Sequence, residues 1–331
     1  MTISCIRHWL ANGTVVLALA ACSGASLTPQ NAPLAQPEAL SRPSAIANQL
    51  KTKGGFLKHT ATQNFLFVAD DGINAIFLLD PTQPGMPPVG TIIDGVNGPA
   101  GLSTDSHGTL YVTNQGASPP SVAEYPAGHL KPSFQLTNGI NLPFAVAVDS
   151  QRTVYVSNPF ASQPNVVAYK AGQSSPFETI TGFSDPIGLA VDKLNNLYVV
   201  DLRSGVYVVP FGSNTPTNMN LQDLVNPTNI AVDARGVLSV SDIGNPRANP
   251  SIPARILRYG LGKTTPSMII TKDVFSPQFV TYSRALRTLY VTMQDNGGYV
   301  AGFKAGQRKA WVLGFNPATA AGLAFSTNSK W

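Results

Sequence analysis

Short apolar runs, five or six residues long and broken by Gly, Pro, Asn and Asp, recur along most of the chain. Six of them read alike: Phe65-Leu-Phe-Val-Ala-Asp70, Thr109-Leu-Tyr-Val-Thr-Asn114, Thr153-Val-Tyr-Val-Ser-Asn158, Asn196-Leu-Tyr-Val-Val-Asp201, Val237-Leu-Ser-Val-Ser-Asp242 and Thr288-Leu-Tyr-Val-Thr-Met293. Their β-branched and aromatic content predicts strands. The central residues Phe67, Tyr111, Tyr155, Tyr198, Ser239 and Tyr290 lie 44, 44, 43, 41 and 51 positions apart. Six residues before the centre stands Asp105, Asp149, Asp192 or Asp233. Before that, proline opens another apolar strand, as in Pro99-Ala-Gly-Leu and Pro186-Ile-Gly-Leu. A third strand runs to a hairpin glycine (Gly128, Gly172, Gly212, Gly262, Gly306), and a short fourth one, such as Phe177-Glu-Thr-Ile180, closes the unit.

Four strands per unit, repeated six times, predict an all-β six-bladed β-propeller with four antiparallel strands per blade. Solenoid repeats are much shorter. Ala321-Gly-Leu-Ala-Phe-Ser326 is a seventh copy of the innermost strand with no central strand after it. It predicts a ring closed by N- and C-terminal strands, with 321–326 beside Phe65–Asp70. Phe56–Ala61 is the competing inner strand, and the sequence leaves both open. Closure removes open sheet edges. The Leu-Tyr-Val-Thr-Asn run resembles the NHL and YVTN-repeat propellers over about residues 55–331, and the six-bladed ring resembles the SMP-30/gluconolactonase fold.

The chain begins with an address. Arg7 precedes an apolar stretch from Trp9 to Ala21, shorter than the roughly 20 residues a membrane span takes. Leu19-Ala20-Ala21-Cys22 resembles the lipobox of bacterial lipoproteins. The resemblance implies removal of 1–21 and lipidation of Cys22. Several acyl chains make a lasting anchor where one is marginal. Ser23 in place of Asp implies the outer membrane by the usual sorting rule. An ordinary secretory signal is the alternative. Residues 22–50, rich in Ala, Pro, Ser and Gln, read as a tether to a propeller domain at 51–331.

Charge narrows the partners. Only 12% of residues are charged and the net charge of +5 is scattered, which excludes the clustered basic footprint of nucleic-acid binding. The two cysteines, Cys5 and Cys22, both precede the domain and give it neither a disulfide framework nor a zinc site. Four histidines, at positions 8, 59, 107 and 129, offer no base paired to a nucleophile.

The resemblance to gluconolactonases implies a divalent metal at the channel mouth, with oxygen ligands following the proline that opens an inner strand. The matching positions are Ala100, Phe144, Ile187, Thr228, Gln278 and Ala321, none of them a carboxylate. An alternative donor set, Asp70, Asn114, Asn158, Asp201 and Asp242, is read as Asx residues capping the turn after each central strand. The sequence therefore points to a binding or scaffold module without a cofactor, the metal-dependent lactonase being the alternative. A small ligand, a glycan or a protein is expected to meet Ala100, Phe144, Ile187, Thr228 and Gln278 at the mouth, and Phe160, Arg203 and Arg247 in the loops around it. The longest of these, 242–254, is the candidate contact loop.

Overall fold

The computed structural model describes residues 55–57, 64–294, 298–315, 317, 319–326 and 330–331. The expected signal peptide 1–21, Cys22, the expected tether 22–50, His59 and most of the competing strand Phe56–Ala61 lie outside the described residues.

The strand units fold as six antiparallel sheets arranged in a ring, a six-bladed β-propeller. Blade 2 shows the plan: Pro99–Thr104 innermost, then Leu110–Asn114, Ser121–Tyr125 and Phe134–Leu136 outermost. Blades 3 to 6 repeat it from Val146–Val148, Pro186–Val191, Pro227–Val232 and Pro277–Ser283. The choice left open for blade 1 is resolved. Ala320–Ser326 is its inner strand, with Leu66 opposite Phe325 and Val68 opposite Leu323. Phe56–Leu57 pairs instead with Pro88–Ile92 and adds a fifth, outermost strand.

Burial accounts for the apolar runs of the central strands, whose Ser, Thr, Asn and Asp residues are buried with them. Every residue of Phe65–Asp70, Leu110–Asn114, Val154–Asn158, Leu197–Asp201, Leu238–Asp242 and Thr288–Met293 is buried. Each sheet is covered on both faces by its neighbours, so both sides of the strand select apolar residues. Outer strands, with a solvent side, alternate more, as in Phe134–Leu136 and Glu178–Ile180.

Neighbouring inner strands approach closely, and glycine permits it. A Cβ on Gly322 would lie 2.2 Å from the Ala100 carbonyl oxygen, and one on Gly101 2.6 Å from that of Phe144. A Cβ on Gly188 would lie 2.8 Å from the Asn229 Cα. The Pro-x-Gly-Leu repeat is thus a packing requirement of the ring's narrow centre.

Candidate functional site

The inner strands begin at one end of the central channel, the loop face, and finish at the other, the turn face. Ala100, Phe144, Ile187, Thr228, Gln278 and Ala321 all lie where the inner strands begin, and all are buried. Phe144 of blade 3 stacks on Phe279 of blade 6, ring centroids 5.7 Å apart and planes 16° from parallel. Blades 3 and 6 are opposite members of the ring, so this stack crosses its axis. Ile187, Ile230 and Leu323 belong to the same apolar cluster. The mouth is filled by side chains. Thr228 donates its hydroxyl to the Pro277 carbonyl at 2.9 Å, and Gln278 Nε2 donates to that of Ser276 at 3.2 Å.

The Asx set that could hold a cation is spent on the backbone. Asn114 Oδ1 accepts from Asn97 N–H at 3.0 Å while its Nδ2 donates to the Gly95 carbonyl at 2.8 Å. Asn158 repeats this with Asn141 and Gly139. Asp201 accepts from the N–H groups of Ser184, Asp185, Arg203 and Ser204. Asp242 accepts from Val225, Asn226 and Gly244, and Asp70 from Gly72 and Thr319. Capping of the residue two positions on holds for Asp70, Asp201 and Asp242. In addition, this residue ties the incoming inter-blade loop to the blade it enters. Among the described residues, no three His, Cys, Asp or Glu are placed to share a metal ion. The donors present do not fit the divalent cation of a lactonase.

Sequence reasoning passed over the hydroxyl one residue earlier. Most inner strands bulge just after they begin, which breaks the ladder to the central strand. Thr113 Oγ1 fills the gap, accepting from Gly101 N–H at 2.6 Å and lying 3.3 Å from the Phe144 carbonyl of the next blade. Ser241 and Thr292 do the same, reaching the carbonyls of Gln278 and Ala321. The Thr/Ser of the repeat is therefore a staple between blades.

Around the filled mouth, the loop face presents exposed side chains. Arg203 is exposed, with Nε 3.4 Å from Asp185 Oδ2. Arg247 is exposed in the 242–254 loop, whose base is pinned by a bridge between Asn245 and Ile252. Phe160 is half-buried against the core. Asp71 lies beside the Asp70 turn, and burial raises its carboxyl above the ordinary range.

Two cavities lie elsewhere. One, of about 250 Å³, occupies the channel below the Phe144–Phe279 stack and reaches Arg284. The other, of about 480 Å³, lies between blades 3 and 4, flanked by the half-exposed rings of Phe177 and Phe211. Lys170 Nζ sits 5.3 Å over the Phe177 ring.

No protein-family model matches the chain, and no curated protein matches its sequence. Solved structures do match in fold. A chain of a nidogen/laminin complex superposes with a TM-score of 0.62 at 17% identity, covering 80% of this chain and 98% of that one. A chain of the Kuenenia stuttgartiensis hydrazine synthase gives 0.49 at 16% identity, over 63% of each. These likenesses concern the fold.

Proposed function

We propose that the chain is a non-catalytic binding module of the bacterial envelope, anchored by a lipid on Cys22 in the outer membrane. In this reading it engages a protein partner through the loops around the filled channel mouth. The Phe144–Phe279 stack carries the reading. It occupies the place where a gluconolactonase-type site would need an open mouth and metal ligands, and it leaves the rim for contact. Exposed Arg203, Arg247 and the pinned 242–254 loop supply a polar rim of the kind protein interfaces use. Likeness to a chain of a two-protein complex agrees with a protein partner.

Site-specific photocrosslinking in intact cells tests this. A crosslinking residue at position 203 or 247 is expected to trap a discrete adduct, and one at Leu261, an exposed hairpin residue outside the loop face, is expected to trap none. Equal capture at all three positions would overturn the loop-face reading. Stoichiometric divalent metal with lactone turnover in the purified protein would replace it with the hydrolase. Loss of palmitate labelling in Cys22→Ser tests the anchor separately.

A further inference from the structure

The turn face carries a charge pattern that four blades share and that blades 1 and 6, with Ser326 and Ser283 at the place of the aspartate, lack. Four described turns joining inner to central strands begin with aspartate, and each carboxylate organises its turn. Asp105 Oδ1 accepts from the N–H groups of His107 and Thr109, and Asp149, Asp192 and Asp233 repeat this arrangement. The second oxygen takes a further donor. Tyr111, Tyr155 and Tyr198 hydroxyls reach Asp105, Asp149 and Asp192 at 3.2, 3.5 and 3.1 Å. Arg152 Nε lies 2.8 Å from Asp105, and Arg235 and Arg258 lie 3.2 and 3.5 Å from Asp233. Arginine thus meets two of the four repeat carboxylates, Asp105 and Asp233.

Blade 6 has no such carboxylate. Its ladder sets Ser283 opposite Thr288, the place that Asp105 and Thr109 hold in blade 2, and its turn is one residue longer. Ser283 Oγ accepts the Leu286 N–H, at 3.0 Å. Two independent consequences follow. The Tyr290 hydroxyl is buried with Thr288 beside it and meets no turn aspartate of its own blade. Arg284, set on the longer turn, is exposed at the rim of the channel cavity with no described carboxylate within ion-pair distance.

The cavity beside Arg284 is suited to a polar guest. Each inner strand has a ladder partner on one side only, so backbone edges of six strands face the axis, some of their groups taken by side chains, as Val280 N–H is by Asn229 Oδ1 and the Phe325 carbonyl by Thr104. The Phe144–Phe279 stack closes the far end. A guanidinium at the rim of a polar-lined cavity recognises oxyanions through charge-assisted hydrogen bonds. The volume of about 250 Å³ falls below the roughly 300–1,000 Å³ of drug-sized pockets, which restricts the guest to a few heavy atoms.

We propose that the turn-face end of the channel binds a small anion of the carboxylate or phosphate class, with Arg284 as its principal ligand. The anion supplies the counter-charge that Ser283 removed from this blade.

Calorimetric titration of the full chain in detergent, at low ionic strength, with inorganic phosphate and with succinate tests the proposal. One of the two is expected to bind at a single saturable site, and which one binds distinguishes phosphate from carboxylate recognition. Arg284→Gln is expected to weaken that binding about tenfold or more, the effect of losing a hydrogen bond to a charged group. Arg287→Gln, on the same exposed turn, is expected to change it less than about twofold, the margin left for general surface charge. Ser283→Asp, which restores a carboxylate beside Arg284, is expected to abolish it. No saturable binding of either anion, or equal losses in the two arginine variants, would overturn the site.

Discussion

Phe144 stands where the other blades carry Ala100, Ile187, Thr228, Gln278 and Ala321, and its bulk reaches across the ring to Phe279. The sequence shows an aromatic side chain at a strand start and suggests a ligand contact. Its stacking partner, 135 positions away, lies in the opposite blade, a relation that only the closed ring creates. Phe144→Ala is therefore expected to destabilise the fold by about 3–5 kcal/mol, the range for deleting a buried aromatic. A urea titration measures it, and an unchanged midpoint would show that the stack contributes nothing. The Asx residues were more legible. Their recurrence at one place in five of the six blades indicates turn chemistry, and Asp70, Asp201 and Asp242 show it. What the pattern concealed is the second hydrogen bond, to a loop some 16 to 19 residues earlier.

At the scale of strands, the four-strand unit could be read from proline, tyrosine and glycine spacing alone, because each strand is local and its hairpins are short. The inner-strand bulges could not. They arise where six strands converge on one axis, and the hydroxyls of Thr113, Ser241 and Thr292 that fill the gap within each blade also reach a carbonyl of the next blade, a contact no single repeat contains. Convergence also makes Gly322 a sensitive position. A methyl group there would meet the Ala100 carbonyl oxygen at 2.2 Å, which backbone movement alone can relieve. Gly322→Ala is expected to cost about 1–3 kcal/mol, as overpacking does. Gly260→Ala, whose added Cβ would have its nearest neighbour at 3.6 Å, is the control and is expected to shift the same denaturation curve little. Equal losses in both would remove the closure argument.

Across the whole molecule, burial of tyrosine couples the ring to alkaline pH. Burial raises the hydroxyl pKa of Tyr155 and Tyr198 from 10.0 to about 12, and raises Tyr111, Tyr125, Tyr169, Tyr259 and Tyr290 as well. The folded state thus holds protons that the unfolded chain releases near pH 10. The stability this coupling carries is whole below pH 10 and is lost as pH climbs from 10 through 12. Tyrosinate absorbance is expected to rise late and together with the loss of β-sheet circular dichroism, and full ionisation at pH 10 in a folded protein would contradict it. The shape that buries these rings has a consequence in time. Phe65–Asp70 finds its inner neighbour only at Ala320–Ser326, some 250 positions later. On the proposed secretion route, a polypeptide threaded out from its N-terminal side would carry the first blade without its inner strand, the Phe65–Asp70 edge bare, while five further blades arrive. Such an edge invites wrong pairing. The ring is therefore sealed in a single event, the docking of Ala320–Ser326 into the seam, and stays open to wrong partners until then.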